Sequence, residues 1–412
     1  MGHIQDRWYR KVVDPSTGKA SRQRTSLYGK GMRYKVRYLD PDGNERSKTF
    51  PDKSRKKAED FLREVEGDVR RGSYIDPDAG KLLFRDFAWR WLDGQTFEET
   101  SRQATEYRLN AVILPTFGDK EIGSIRPTDV RAWVRSMQQD NKSSGHQAVC
   151  FAHLSAIFTA AVDDKLIPAN PCQARSVTRP KQSQPKIIPW TRTTVKKVQL
   201  ALPDRYKIAV PLGAGSGMRQ GELFGFGVDA IDRDEMILHL ARQVREVRGK
   251  LTFAPPKRGK AREVPLSRGL LQLLDEHMER FPPVSVTLPW KVPDGEPVTV
   301  ELLLTKPDGH ALDRRKFTRK VWDPARRAAG ITNPSRQDGM HALRHHYASV
   351  LLDAGESIKA LSEYLGHTDA GFTLSTYTHL MPSSAERTRR AIDAEWGSGD
   401  DGTAASDGPA TA

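Results

Sequence analysis

Residues 32–38 read Met-Arg-Tyr-Lys-Val-Arg-Tyr, an unbroken alternation of apolar and basic side chains. Successive side chains of an extended strand point to opposite faces, so this stretch reads as a half-buried strand with Met32, Tyr34, Val36 and Tyr38 inward. Asp40-Pro-Asp-Gly43 is a turn signal, and Glu45–Phe50 returns as the partner strand. An earlier strand fits Arg7–Val13, ended by Asp14-Pro-Ser-Thr-Gly18. From Ser54 the period lengthens. Ala58, Phe61, Leu62, Val65 and Val69 share one helical face, and Gly72 is a suitable stop. A sheet with one apolar face and a helix with one apolar stripe make a small α+β module, residues 1–72. Arg33, Lys35 and Arg37 then project from the other sheet face. That row is either a solvated surface or the reading face of strands that contact DNA.

The rest of the chain keeps the helical period. Leu83-Phe-Arg-Asp-Phe87 and Trp91 begin one helix, and Tyr107, Leu109, Ile113 and Leu114 a second, broken by Pro115 and Gly118. Val130 and Trp133 mark a third helix, capped by Thr128 or Asp129, and Val149, Phe151, Leu154, Ile157, Phe158 and Ala161 a fourth. Residues 80–172 therefore read as an all-α domain. Residues 173–189 hold three prolines, several basic residues and few apolar groups apart from Ile187 and Ile188, the composition of an exposed linker. A larger domain, mainly α with some sheet, occupies 190–396. The tail, 397–412, is small, polar and mildly acidic, and disorder is its default. At 412 residues a multidomain chain is expected.

The formal net charge is +14 and the isoelectric point about 9.7. Residues 1–58 hold 16 Lys and Arg against 6 Asp and Glu. Such a concentration suits a phosphate backbone, where counterion release supplies much of the affinity. Cys150 and Cys172 are the two cysteines, without a CxxC spacing, as expected in a reducing cytoplasm. No signal-peptide pattern or run of membrane-spanning length is read, and Asp6 stands where a myristoylation signal needs Ser or Thr.

The chemistry concentrates late in the chain. His341-Ala-Leu-Arg344-His345, Gly366-His367 and Tyr377 fall within 37 residues, and Arg219 stands upstream in Gly217-Met-Arg219-Gln-Gly-Glu222-Leu. Arginine forks clamp the non-bridging oxygens of a phosphate, and a tyrosine hydroxyl can attack phosphorus to form a covalent intermediate. His341 and Arg344 share a helical face. Leu251–Phe253, then Pro255-Pro-Lys257-Arg-Gly-Lys260-Ala-Arg262-Glu-Val264-Pro-Leu266, reads as strand, basic turn, strand. No acidic cluster or His-rich metal motif is read, so no cofactor is expected.

In combination and order these motifs resemble the tyrosine recombinases, the lambda-type phage integrase family. The resemblance implies an arm-type DNA-binding module in 1–72, a core-binding domain in 80–172 and a catalytic domain in 190–396. It implies that Arg219 binds the scissile phosphate, oriented by Glu222, and that Arg344 is the second clamp. His341 becomes the acid–base histidine, His367 a donor to a non-bridging oxygen, and Tyr377 the nucleophile. A lysine of the basic turn acts as general acid, Lys257 by its place after the proline, with Lys260 the rival. His346, Tyr347 and Tyr364 have no matched role, His346 being expected at the surface and Tyr364 in the core. Tyr377 lies ten residues after His367, where many members have nine. The free phenol is a poor nucleophile at neutral pH, and the cationic cluster is expected to favour its phenolate.

The implied reaction passes through a 3′-phosphotyrosine and needs neither nucleotide nor metal. The implied partners are double-stranded attachment-site DNA, further copies in a homotetramer on DNA, a DNA-bending host protein and a directionality factor. No membrane is among them, and the implied place is the cytoplasm, at the nucleoid when DNA-bound. Two other readings share these motifs: a catalytically silent DNA-binding regulator with this fold, and a chromosome-dimer resolvase. The basic module 1–72 argues against the second, and the complete polar set against the first.

Overall fold

A computed structural model describes residues 2–377 except 14, 16, 17, 77, 183–185, 333 and 368, together with 389, 392 and 393. The expected tail, and the residues that follow Tyr377 in the nucleophile segment, lie outside the described residues. The chain divides into two compact units, Met1–Gln184 and Pro185–Ala412, with the boundary inside the proline-rich stretch 173–189.

The first unit opens with five strands and a helix: β1 (His3–Asp6), β2 (Tyr9–Val13), β3 (Ala20–Arg24), β4 (Tyr34–Leu39), β5 (Glu45–Phe50) and α1 (Arg55–Arg71). Strands β1, β4 and β5 form an antiparallel sheet with β4 central, Val36 lying opposite both Ile4 and Lys48. Tyr34, Val36 and Tyr38 are buried against Ala58 and Val65 of α1, as the two periods require. Met32 departs from the expected pattern: β4 begins only at Tyr34, and Met32 is exposed. The earlier strand is present as Tyr9–Val13 but pairs with Ala20–Arg24 in a separate two-stranded ribbon, and a strand not read from the sequence, His3–Asp6, enters the sheet. The sequence Ala-Ser-Arg-Gln-Arg of β3 buries nothing, so it carries no apolar period by which to be recognised.

A second apolar core in this unit is built by α2 (Phe84–Asp93), α3 (Glu99–Arg108), α4 (Leu114–Phe117), α5 (Pro127–Gln139) and α6 (Ser144–Asp163). A single π turn, Leu109–Ile113, joins α3 to α4. Pro115 therefore does not break the helix; it sits in the first turn of α4, where its missing N–H is not needed. Asp129 accepts from the Arg126 backbone N–H at 2.8 Å and caps α5. Helix α6 is long and apolar enough, by length and composition, to cross a membrane, contrary to the sequence reading. Here Cys150, Phe151, Leu154, Ile157, Phe158 and Ala161 are buried in the bundle core.

The second unit has one core threaded by α7 (Arg192–Ala201), α8 (Ala209–Ser216) and α9 (Gln220–Phe224). Five strands follow: β6 (Ile231–Asp232), β7 (Ile237–Leu240), β8 (Gln243–Val247), β9 (Lys250–Ala254) and β10 (Arg262–Pro265). Then come α10 (Arg268–Arg280), β11 (Val284–Pro289), β12 (Pro297–Leu302), α11 (Arg314–Phe317) and α12 (Asp323–Ala328). The unit closes with α13 (His341–Asp353), α14 (Ile358–Leu365) and α15 (Ala370–Tyr377). The strands pair as β10-β7-β6, β8-β9 and β11-β12. Helices α8 and α13 pack closely because Gly213 leaves room for Leu343. At the start of the unit the Trp190 ring stacks on Trp322, 6.0 Å between centroids.

Candidate active site

Two tight turns bring the site together. Helix α8 ends at Gly217, with φ +65°, where a Cβ would stand 2.6 Å from the Tyr347 ring. The left-handed conformation and the close approach both demand glycine. The chain then turns into α9, whose Glu222 accepts from the Arg219 backbone N–H at 2.8 Å and from Arg219 Nη1 at 2.9 Å. Helix α14 ends at Gly366, with φ +62°, where a Cβ would meet Arg262 Cδ at 2.9 Å. This turn exposes the carbonyls of Leu365 and Gly366 to the arginines.

Arg344, 1% exposed, donates through Nη1 to the Gly217 carbonyl at 2.7 Å and through Nη2 to the Leu365 carbonyl. Arg219 Nη2 points to the same Leu365 carbonyl at 3.4 Å and to that of Gly366 at 3.5 Å. Arg262, on β10, forks onto Glu222 at 3.0 and 2.7 Å and donates through Nε to the Tyr364 carbonyl at 2.6 Å. Burial alone would raise the Glu222 pKa. The Arg262 hydrogen bonds and the charges of Arg262 and Arg219 outweigh it and hold it at about 2. Burial, Arg219 and Arg262 push Arg344 down to about 9, still a cation at neutral pH. Two guanidiniums thus pair with the one carboxylate and Arg344 stands within reach of its charge, an arrangement whose excess positive charge invites an anion. Arg262 stood in the basic turn motif without a role. Its part in this network depends on a contact across 40 residues that spacing does not reveal.

The Tyr377 hydroxyl lies 2.8 Å from His345 Nδ1. Its side chain is 1% exposed. Burial pushes its pKa up to about 12 against the opposing pull of Arg344 and Arg219. The cationic cluster therefore does not ionise the phenol in the DNA-free protein, because loss of hydration outweighs the two cations. His345 carried no role in the sequence reading, which gave the acid–base part to His341. The His341 ring meets His345 edge-on at 4.7 Å, one helical turn earlier on α13. That i, i+4 spacing was the signal available. Burial, then Arg344, lowers the His345 pKa to about 4, so its ring is neutral at pH 7. His341 is itself exposed, yet the protein crowded around its ring, then His345 and Arg344, pull it below its usual value.

His367 Nε2 stands 3.0 Å from Arg344 Nη2, and its Nδ1 is 2.7 Å from Thr373 Oγ1. Arginine only donates, so Nε2 is the acceptor and the ring proton sits on Nδ1, facing Thr373. Thr373 is wholly buried and lies one turn before Tyr377, the third residue the sequence reading gave no role, after Arg262 and His345. His346 is half-buried, its Nδ1 2.8 Å from the Trp190 carbonyl. Tyr347 is buried in the core, and Tyr364 packs against it from a half-buried position.

Lys257 opens a short 3₁₀ turn, Lys257–Gly259, between β9 and β10 and is exposed. Lys260 Nζ reaches the His367 carbonyl at 3.4 Å, so the rival lysine touches the cluster. In the N-terminal sheet, Arg33 immediately precedes β4 and is gripped by Asp6 at 2.9 Å and Asp52 at 3.0 Å. Arg37 pairs with Glu45 at 2.7 Å, and Lys35 is half-buried beside it on the strand. Among the described residues no three His, Cys, Asp or Glu side chains gather as a metal site.

Residues 193–383 match the model of the phage integrase family, and residues 83–138 that of the phage integrase N-terminal SAM-like domain. The chain is 28% identical over 371 residues to a XerC-like tyrosine recombinase of Caldanaerobacter subterraneus, covering 83% of this chain and 90% of that protein. It is 26% identical to a putative prophage phiRv2 integrase of Mycobacterium tuberculosis, covering 88% and 93% of the two. Among solved structures, the Tn1549 transposon integrase in complex with a circular intermediate DNA aligns with a TM-score of 0.64. That match is 17% identical and covers 76% of this chain and 99% of the other. A lambda integrase tetramer bound to a Holliday junction aligns at 0.56 and 17% identity, covering 81% and 93%.

Proposed function

The chain belongs to the phage integrase family and is a tyrosine recombinase, and we propose that it cuts and rejoins attachment-site DNA with Tyr377 as the nucleophile. The observation that carries this assignment is the convergence of Arg219 and Arg344 on the Leu365 carbonyl, with the charges of both acting on the Tyr377 hydroxyl. Carbonyl oxygens are weak substitutes for a phosphate. A scissile phosphate entering here takes both forks on its non-bridging oxygens, and its negative charge relieves the repulsion among the three guanidiniums.

As the Tyr377 oxygen bonds to phosphorus, its proton passes to His345 Nδ1. The P–O5′ bond breaks, and the departing 5′ oxygen takes a proton from Lys257, with Lys260 as the rival donor. His341 completes the acid–base pair through its edge contact with His345. Once Arg344 turns to the phosphate, His367 donates to a non-bridging oxygen with its ring proton moved from Nδ1 to Nε2, Thr373 Oγ1 then donating to Nδ1. The product is a 3′-phosphotyrosine and a free 5′ hydroxyl. That hydroxyl, or one from a partner duplex, attacks phosphorus and gives its proton back to the lysine, while His345 returns its proton to the departing Tyr377 oxygen. Each well-placed donor to the growing negative charge contributes roughly 10²–10³ in rate.

Around this centre, residues 80–172 grip the core site, and 1–72 hold a second sequence, a division supported by their separate apolar cores. Four copies act on paired duplexes, with a DNA-bending host protein and a directionality factor, in the cytoplasm. The test is a nicked substrate that traps the cleaved strand. Mass spectrometry of the adduct should find DNA on Tyr377, and an adduct on any other residue defeats the assignment.

A further inference from the structure

The ribbon β2–β3 has no place in the hydrophobic logic of its module. Every residue of β3 is exposed, and the ribbon makes no ladder with the β1-β4-β5 sheet. An isolated two-stranded hairpin is marginal in water. The root of this one is tied to neighbouring segments. Thr25 N–H donates to the Trp8 carbonyl at 2.9 Å, Trp8 Nε1 to the Lys30 carbonyl at 3.1 Å, and the rings of Tyr9 and Tyr28 meet edge-on at 5.4 Å. The blade beyond that root projects its side chains outward.

The charge on the blade is one-sided. Residues 9–24 contain five Lys and Arg and one acidic residue, Asp14. Register sets Lys11 directly opposite Arg22, and Tyr9 opposite Arg24, so Lys11, Arg22 and Arg24 share one face. Like charges directly opposed across strands destabilise a ladder, and an anion on that face removes the penalty. Asp6 reaches Arg22 at 3.3 Å but binds Arg33 more closely, at 2.9 Å, and Arg22 stays 61% exposed. The reverse face is satisfied internally: Arg10 donates twice to Gln23 Oε1, at 2.9 and 2.6 Å. The row that the sequence suggested is a poorer anion site, since Arg33 and Arg37 are already held by carboxylates.

We propose that the paired strands β2 and β3, Tyr9–Val13 and Ala20–Arg24, lie in the major groove of duplex DNA, with the Lys11, Arg22 and Arg24 face turned to the nucleic acid. It rests on the reading that residues 1–72 hold a second DNA sequence. The major groove, about 12 Å wide, admits a two-stranded β-ribbon. Five-residue strands span roughly 17 Å at about 3.4 Å per residue, enough to follow the groove past several base pairs. Arg24 lies over the Tyr28 ring at 4.1 Å and Arg22 over Tyr9 at 5.4 Å, so the aromatic root steadies an exposed cationic face suited to such insertion.

Full-length chain carrying Lys11→Gln, Arg22→Gln and Arg24→Gln together should be compared with a Lys35→Gln, Arg37→Gln chain and the unaltered chain. Each is footprinted on full attachment-site DNA across a salt series, and each is tested for cleavage of a short core duplex as a check on folding. The ribbon variant should cleave the core duplex normally but lose protection of the second site. Its affinity there should fall roughly tenfold or more, and its salt slope by about 2 to 3, one increment per lost phosphate contact. Unchanged second-site protection in the ribbon variant, or loss confined to the Lys35 and Arg37 variant, overturns the ribbon and leaves the module's role standing. If the unaltered chain protects only the cleaved core, the module reading fails and the ribbon with it.

Discussion

At Tyr377 a single oxygen separates binding from chemistry. Tyr377→Phe should bind core DNA with unchanged affinity and give no covalent adduct, as gel shift and a denaturing gel of a nicked substrate will report. His345 is the group that touches that oxygen, at 2.8 Å. His345→Ala should slow cleavage by roughly 10²–10⁴, the range for a lost general base. Replacing the leaving 5′ oxygen by sulfur removes most of the need for an acid. The His345 defect should then persist, while the defect at whichever of Lys257 and Lys260 is the acid should shrink. A His345 defect rescued by sulfur would make it the acid instead. The histidines also bear on stability. His345 is held at about 4 and His367 at about 3, below the ordinary 6.5, chiefly by burial. As pH falls below about 6.5 the unfolded chain binds protons that the folded one refuses, so stability declines toward pH 4. Urea midpoints at pH 5 should lie below those at pH 7, and His345→Asn should reduce the difference.

At the level of elements, α9, β10 and α14 are tied by one carboxylate. Glu222 is 1% exposed and pairs with Arg219 and Arg262. Removing one partner from a buried pair leaves charge uncompensated, so Glu222→Ala should cost about 3–5 kcal/mol in urea denaturation. Glu222→Gln should fold better yet cleave slowly, because Arg219 loses the anchor that sets its angle. Normal cleavage by the glutamine variant would mean that Arg219 is oriented by the Leu365 and Gly366 carbonyls alone. The local signals behind these elements were readable: the alternation through β4, the apolar stripe of α1 and the glycine stops at Gly72 and Gly366. The ribbon was not, because β3 buries nothing and so leaves no periodic trace.

For the whole molecule, bond energy is kept in the phosphotyrosine, and the negative charge of the transition state falls among guanidiniums and imidazoles. Cleavage of a nicked core duplex should therefore proceed in EDTA without nucleotide. Loss of cleavage on chelation, restored by a divalent ion, would contradict that mechanism. The sequence by itself determined the order of segments and a set of candidate reacting groups, since hydrophobic period and residue chemistry are local properties. The tertiary structure alone decided which histidine meets Tyr377, that Lys260 reaches the His367 carbonyl and that Arg33 is held by Asp6 and Asp52. Burial there pushes the Tyr377 phenol up to about 12 against the pull of Arg344 and Arg219. Those outcomes depend on contacts between segments as far apart as Arg219 and Leu365, and on how much water packing removes. Helical spacing can say which side chains share a face, but not what that face will meet or how dry the contact will be.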